Sequence, residues 1–101
     1  MIKLEIFVPV RHLEQMCAVL RLAGAGAVGN YDSVLSYSPV KGRWRPLDGA
    51  QPYQGEIGQL CEADEYKLEV CCREEDMDQI IQAVKQAHPY EEPVINAIAL
   101  L

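Results

Sequence analysis

Positive charge is scarce in this 101-residue chain: nine lysines and arginines stand against fifteen aspartates and glutamates, a formal net charge of -6. That balance repels phosphate backbones and anionic lipid surfaces, so nucleic acid is not expected as a partner. Histidine is rarer still. His12 and His88 are the two imidazoles, and no serine or cysteine sits in a recognisable nucleophile setting, so the chain reads as a non-enzyme. No apolar run approaches the roughly 20 residues needed to cross a bilayer, and the start MIKLEIFVPV has neither a basic leader nor a small-residue cleavage site. A cytoplasmic protein with no membrane partner is expected. Cys17, Cys61, Cys71 and Cys72 form no CxxC, and the adjacent pair would face opposite ways on a strand. Free thiols packed as small hydrophobes fit a reducing compartment.

Half of the residues are apolar, enough for one core, and residues 1–101 are expected to form one domain. Residues 2–9 alternate Ile2, Leu4, Ile6 and Val8 against Lys3, Glu5 and Phe7, the period of a half-buried strand. From Val10 to Ala23, Leu13, Met16, Cys17 and Leu20 recur at steps of three and four, predicting an amphipathic helix that stops at Gly24. Residues 30–38 and 43–46 predict a hairpin turning across Pro39 to Gly42, and residues 47–63 a long Gly/Pro-rich loop. Residues 65–73 alternate again, residues 74–87 carry a second apolar stripe behind an acidic first turn, and VINAIALL reads as a last strand.

This order predicts an α+β, ferredoxin-like βαβ-βαβ fold: a four-stranded antiparallel sheet with both helices on one face. The other face would then lack cover. Phe7, Tyr31, Tyr37 and Trp44 are the residues expected to sit there or near it, awaiting a loop, a ligand or a second subunit.

Three local patterns invite a chemical reading. Gly24 to Gly29 (GAGAVG) matches GxGxxG, but it follows a helix and opens none, so it reads as a turn. Lys41, Arg43 and Arg45 are either contacts for a small anion or the solvated side of a strand. His88-Pro-Tyr-Glu-Glu-Pro93 holds an imidazole and two carboxylates between prolines. Proline fixes φ on both sides, so His88, Glu91 and Glu92 could hold a divalent metal ion, although one His needs further ligands from elsewhere. The alternative is that His88 caps helix carbonyls while Tyr90 packs. Glu91 and Glu92, being consecutive, face apart and do not share a proton, and His12 reads as a surface residue.

GAGAVGNYDS at 24–33, GRWRPLDGAQPYQG at 42–55 and HPYEEP at 88–93 together resemble the inserted middle domain of YqfO-type dinuclear-metal-centre proteins, the NGG-interacting-factor-like family. The resemblance spans nearly the whole chain. It implies a CutA- and PII-like fold of a kind that commonly forms trimers through sheet edges, with an HPYE-P sequence shared at the same helix-to-strand junction. It also implies a domain standing alone, with the dinuclear site and any hydrolase-like activity in flanking segments. Family members usually have a cysteine where this chain has Val34, so no thiol ligand carries over there.

The leading expectation is a non-enzymatic, homo-oligomeric binding or regulatory module, trimer before dimer, in which residues 40–60 and the HPYEEP junction meet a neighbouring subunit. Tyr31, Trp44, His88, Tyr90, Glu91 and Glu92 are its ligand or interface candidates. The alternatives are a divalent-metal or small-ligand sensor of CutA type using His88, Glu91 and Glu92, and a PII-like nucleotide binder using Gly24 to Gly29 with Lys41, Arg43 and Arg45.

Overall fold

Alternation along the strands decides which side chains meet. In the computed structural model, which describes all 101 residues, β1 (Ile2–Pro9) buries Ile2, Leu4, Ile6 and Val8 and leaves Lys3, Glu5 and Phe7 on the other face. After a 3-10 turn at Val10–His12, α1 (Leu13–Ala23) buries Leu13, Met16 and Leu20. It stops at Gly24, whose φ of 98° suits a residue without a Cβ. The Gly24 and Ala25 amides donate to the Arg21 and Leu20 carbonyls at 3.1 and 2.9 Å, satisfying the helix end. No helix begins at Gly26 or Gly29, so the GxGxxG pattern is a helix stop.

The remaining elements are β2 (Leu35–Trp44), β3 (Cys61–Cys72), a 3-10 turn at Glu74–Asp76, α2 (Met77–Ala87) and β4 (Ile95–Ala99). The strands form one antiparallel sheet in the order β2-β3-β1-β4, the ferredoxin-like arrangement expected. Both helices lie on one face, where Met16, Leu20, Ile80 and Val84 join Leu4, Ile6, Leu68 and Val70 in one core. Full burial of each such aliphatic side chain is worth about 1.5–3 kcal/mol. No helix is long and apolar enough to cross a membrane.

Three expectations need correction. Residues 35–44 are one continuous strand and not a hairpin, and β3 starts at Cys61 because pairing runs on to Trp44 opposite Cys61. An edge strand tolerates a proline, so Pro39 does not break β2, and Gly42 is a flat strand position. Tyr37 lies opposite Leu68, which puts it on the helix side, where it packs edge-on to Tyr66 with centroids 5.0 Å apart. Tyr31 stands on an isolated bridge with Val28, outside the strands of the sheet, and is exposed.

That open face is also less apolar than expected. Lys3 reaches Glu69 at 2.7 Å and Glu5 at 3.5 Å, and Lys67 reaches Glu5 at 3.3 Å, so charged rungs cover its middle. Apolar cover is concentrated at one end. There β2 and β3 extend past the end of β1 as a two-stranded arm, and the molecule measures 47 × 24 × 23 Å. The helix side of the arm carries the exposed pairs Lys41 with Asp64 and Arg43 with Glu62. Two of the three clustered bases are thus on the solvated side of a strand. The arm's other side carries Val40, Gly42, Trp44 and Glu65.

Candidate functional site

β4 pairs with β1 only up to Ile6, opposite Ile95, which leaves the Phe7 backbone without a strand partner on that side. Two groups supply one. The Phe7 amide donates to the Val94 carbonyl at 3.4 Å, and Nε2 of His88 donates to the Phe7 carbonyl at 2.7 Å. Nδ1 of His88 accepts the Tyr90 amide at 3.1 Å, which assigns the neutral tautomer protonated at Nε2. His88 is buried, and burial holds its pKa below the usual value, against the pull of the Phe7 carbonyl and the Glu65 charge. The imidazole therefore braces the junction against β1. It neither caps the carbonyls of α2 nor keeps a nitrogen for a metal, and no group of three His, Cys, Asp or Glu side chains converges anywhere in the chain. His88, Glu91 and Glu92 do not fit a metal-ligand set.

Pre-proline backbone holds His88 extended (φ -73°, ψ 135°), and the chain turns after it so that Tyr90 points back over the sheet. Its hydroxyl donates to Oε2 of Glu65 at 2.7 Å. Burial, then this bond, raises the phenol's pKa well above the usual tyrosine range. Glu65 is a β3 residue only 5% exposed, and its carboxylate lies over Gly42, where any Cβ would overlap it. A strand glycine here makes room for a buried acid.

The segment 45–60 closes over this pair and is itself pinned. Nε1 of Trp44 donates to the Gln54 carbonyl at 3.1 Å, and the Gln51 amide donates to Oε1 of Glu91 at 3.0 Å. Tyr90 packs tilted against Trp44 (5.5 Å between centroids), Tyr53 (6.0 Å) and His88 (5.0 Å). Tyr53 also meets His12 edge-on at 6.0 Å, so His12 is half-buried and not a free surface residue. The result is a cavity of about 490 Å³ lined by Phe7, Val40, Trp44, Tyr53, Glu65 and Tyr90, with Glu91, Glu92 and the three clustered bases among its further walls.

Of the sequence candidates, Trp44, Tyr90, Glu91 and Glu92 come together here; His88 supports them from below, and Tyr31 is elsewhere. None of Gly24 to Gly29 lines the cavity, so the glycine turn and the bases do not form one phosphate site. Glu65, Gly42 and Tyr53 were not singled out by sequence. In an alternating strand Glu65 reads as solvent-facing, and the available signal was a glycine inside the neighbouring strand.

Residues 53–101 match the family model of the CutA1 divalent ion tolerance protein. The chain is 36% identical over 98 residues to a GTP cyclohydrolase 1 type 2 homolog of Halalkalibacterium halodurans, covering 97% of this chain and 26% of that protein. The solved structure of a Bacillus cereus protein related to NIF3 superposes with a TM-score of 0.85 at 33% identity, over 98% of this chain and 25% of that one. The PII-like protein CutA from Nostoc superposes with a TM-score of 0.73 at 18% identity over 99% and 81%, a likeness of fold. This chain spans about a quarter of the length of the curated relatives it matches. The chain is a relative of that quarter of the NIF3/YqfO-family proteins, built on the CutA/PII-like ferredoxin fold.

Proposed function

We propose that the chain is a non-enzymatic, homo-oligomeric binding or regulatory module of the cytoplasm, its residues 1–101 acting as one domain. The observation that carries this reading is the preformed recess in which the buried Glu65 carboxylate and the Tyr90 hydroxyl meet beneath segment 45–60. A built recess without an activated nucleophile is suited to holding a ligand. The Tyr90 phenol is held protonated, both His88 nitrogens are spent on backbone groups, and burial pushes the Cys17 and Cys72 thiols up, away from thiolate.

Assembly is supported by the edges. β2 offers ten residues of edge strand with one side of its backbone unpaired, and β4, at the other edge, is followed by the exposed Leu100. Such edges template pairing with another chain. The resemblance to CutA-type proteins favours a trimer over a dimer. Light scattering at micromolar concentration should give a multiple of the 11.3 kDa chain mass, three being the expected multiple. A monomer would overturn the oligomeric reading.

The relatives' names raise divalent ions and nucleotides as ligands. Neither is favoured by the residues, since His88 has no free nitrogen and Lys41 and Arg43 are already paired with acids.

A further inference from the structure

We infer that the recess binds a small organic ammonium, held between the Glu65 carboxylate and the rings of Trp44, Tyr53 and Tyr90. This deepens, and rests on, the reading of the chain as a binding module. Glu65 is nine-tenths buried as a residue and lines the recess; its Oε2 accepts from Tyr90, while Oε1 receives no donor from the chain and is not sealed from solvent, so it is open to a ligand. A carboxylate oxygen that opens into a recess and has no donor from the chain offers a charge-assisted contact to a cationic ligand. No base of the chain fills that role. Lys41 pairs with Asp64 and Arg43 with Glu62, and Arg45, though it lines the cavity, is exposed and makes no ion pair with Glu65.

The walls favour the same ligand class. Tyr90 stands tilted at 51° to Trp44 and at 52° to Tyr53, and all three rings line the cavity. Ring faces carry negative potential, and an aromatic lining of this kind is suited to an ammonium group. Glu91 and Glu92 add negative charge to the walls; of the three bases that also line them, Lys41 and Arg43 are paired with acids outside the cavity, which leaves Arg45 against three carboxylates. A volume of about 490 Å³ leaves room for the carbon substituents of such a cation.

Trp44 is the sole tryptophan and lines the cavity, so its fluorescence reports on ligand entry. We expect choline and n-butylammonium to change it saturably in the full chain. Glu65→Gln should weaken binding roughly tenfold or more, the loss of a charge-assisted contact. The neutral isostere 3,3-dimethylbutanol should bind roughly tenfold more weakly than choline. Tyr53→Ala, at a half-exposed ring, keeps the test open if Glu65→Gln fails to fold, and should weaken choline binding several-fold by calorimetry. The inference is overturned if neither cation binds, if the isostere matches choline, or if Tyr53→Ala binds choline unchanged. Binding of inorganic phosphate without binding of either cation would also overturn it. Light scattering on the same sample separates the failures: an oligomer indifferent to ammonium overturns this assignment alone, and a monomer that binds choline overturns assembly alone.

Discussion

Tyr90 and Glu65, one from the junction after α2 and the other from the middle of β3, share a hydrogen bond of 2.7 Å that ties the HPYEEP segment to the sheet. Because Glu65 is buried, the phenol supplies a donor that water cannot readily replace. Tyr90→Phe should therefore destabilise the fold by about 1–3 kcal/mol, the cost of leaving a buried acceptor short of its partner. Urea unfolding measures this; a loss below about 0.5 kcal/mol, as at an ordinary surface site, would mean that solvent reaches the carboxylate freely.

Gly42 enters the same unit from the neighbouring strand. A methyl group there would overlap the Glu65 carboxylate, which must swing away and give up Tyr90. Gly42→Ala and Tyr90→Phe thus remove one interaction by two routes. The double variant should cost little more than the worse single one, a coupling of about 1 kcal/mol or more in a double-mutant cycle. Strict additivity would separate Gly42 from the Glu65–Tyr90 pair.

The two strands behind this unit were unequally legible in sequence. β1 and the inner half of β3 announce themselves by alternation, because one face of each is pressed on helices. β2 does not, since it lies at an edge with both faces largely exposed, and Pro39 and Gly42 carry the local signature of a turn. Their meaning is tertiary: the proline sits where no second neighbour asks for its N–H, and the glycine makes way for a side chain from β3. The HPYEEP segment was recognisable as rigid and unusual. That its histidine would complete β1 at Phe7 was not, because the need arises from where β4 stops.

His88 also makes stability depend on pH. Its folded pKa is lowered, chiefly by burial, so below the ordinary value of 6.5 the unfolded chain binds the extra proton and the folded one resists it. Its contribution is present above that value and is lost as pH falls through the folded pKa. Protonated Nδ1 could no longer accept the Tyr90 amide. The urea midpoint should fall between pH 7.5 and 5.5, and His88→Gln should flatten that fall. A second loss should follow at lower pH, where Glu5 and Glu69, held below the usual carboxylate value by Lys67 and Lys3 respectively, take up protons. If His88→Gln shows the same slope above pH 5.5 as the parent, the imidazole is not the group responsible.

The two glycines that begin the GAGAVG turn have different structural reasons, and substitution should separate them. Gly24 (φ 98°) faces open space, so Gly24→Ala meets only the backbone penalty of a left-handed residue, about 1 kcal/mol. Gly26 (φ 83°) bears the same penalty, but its Cβ would also stand 2.8 Å from the Val34 carbonyl oxygen and 3.1 Å from the Val34 nitrogen. Those are backbone atoms of a segment fixed by the Val34 amide bond to the Gly26 carbonyl, so they cannot step aside as a flexible side chain would. Gly26→Ala should therefore cost about 2 kcal/mol or more and lower the melting temperature further than Gly24→Ala. ATP distinguishes this account from a phosphate-binding loop. A turn that only stops α1 and passes the chain to β2 predicts no thermal shift with ATP in the parent or in either variant; a shift in the parent that Gly24→Ala abolishes would give the motif back its phosphate.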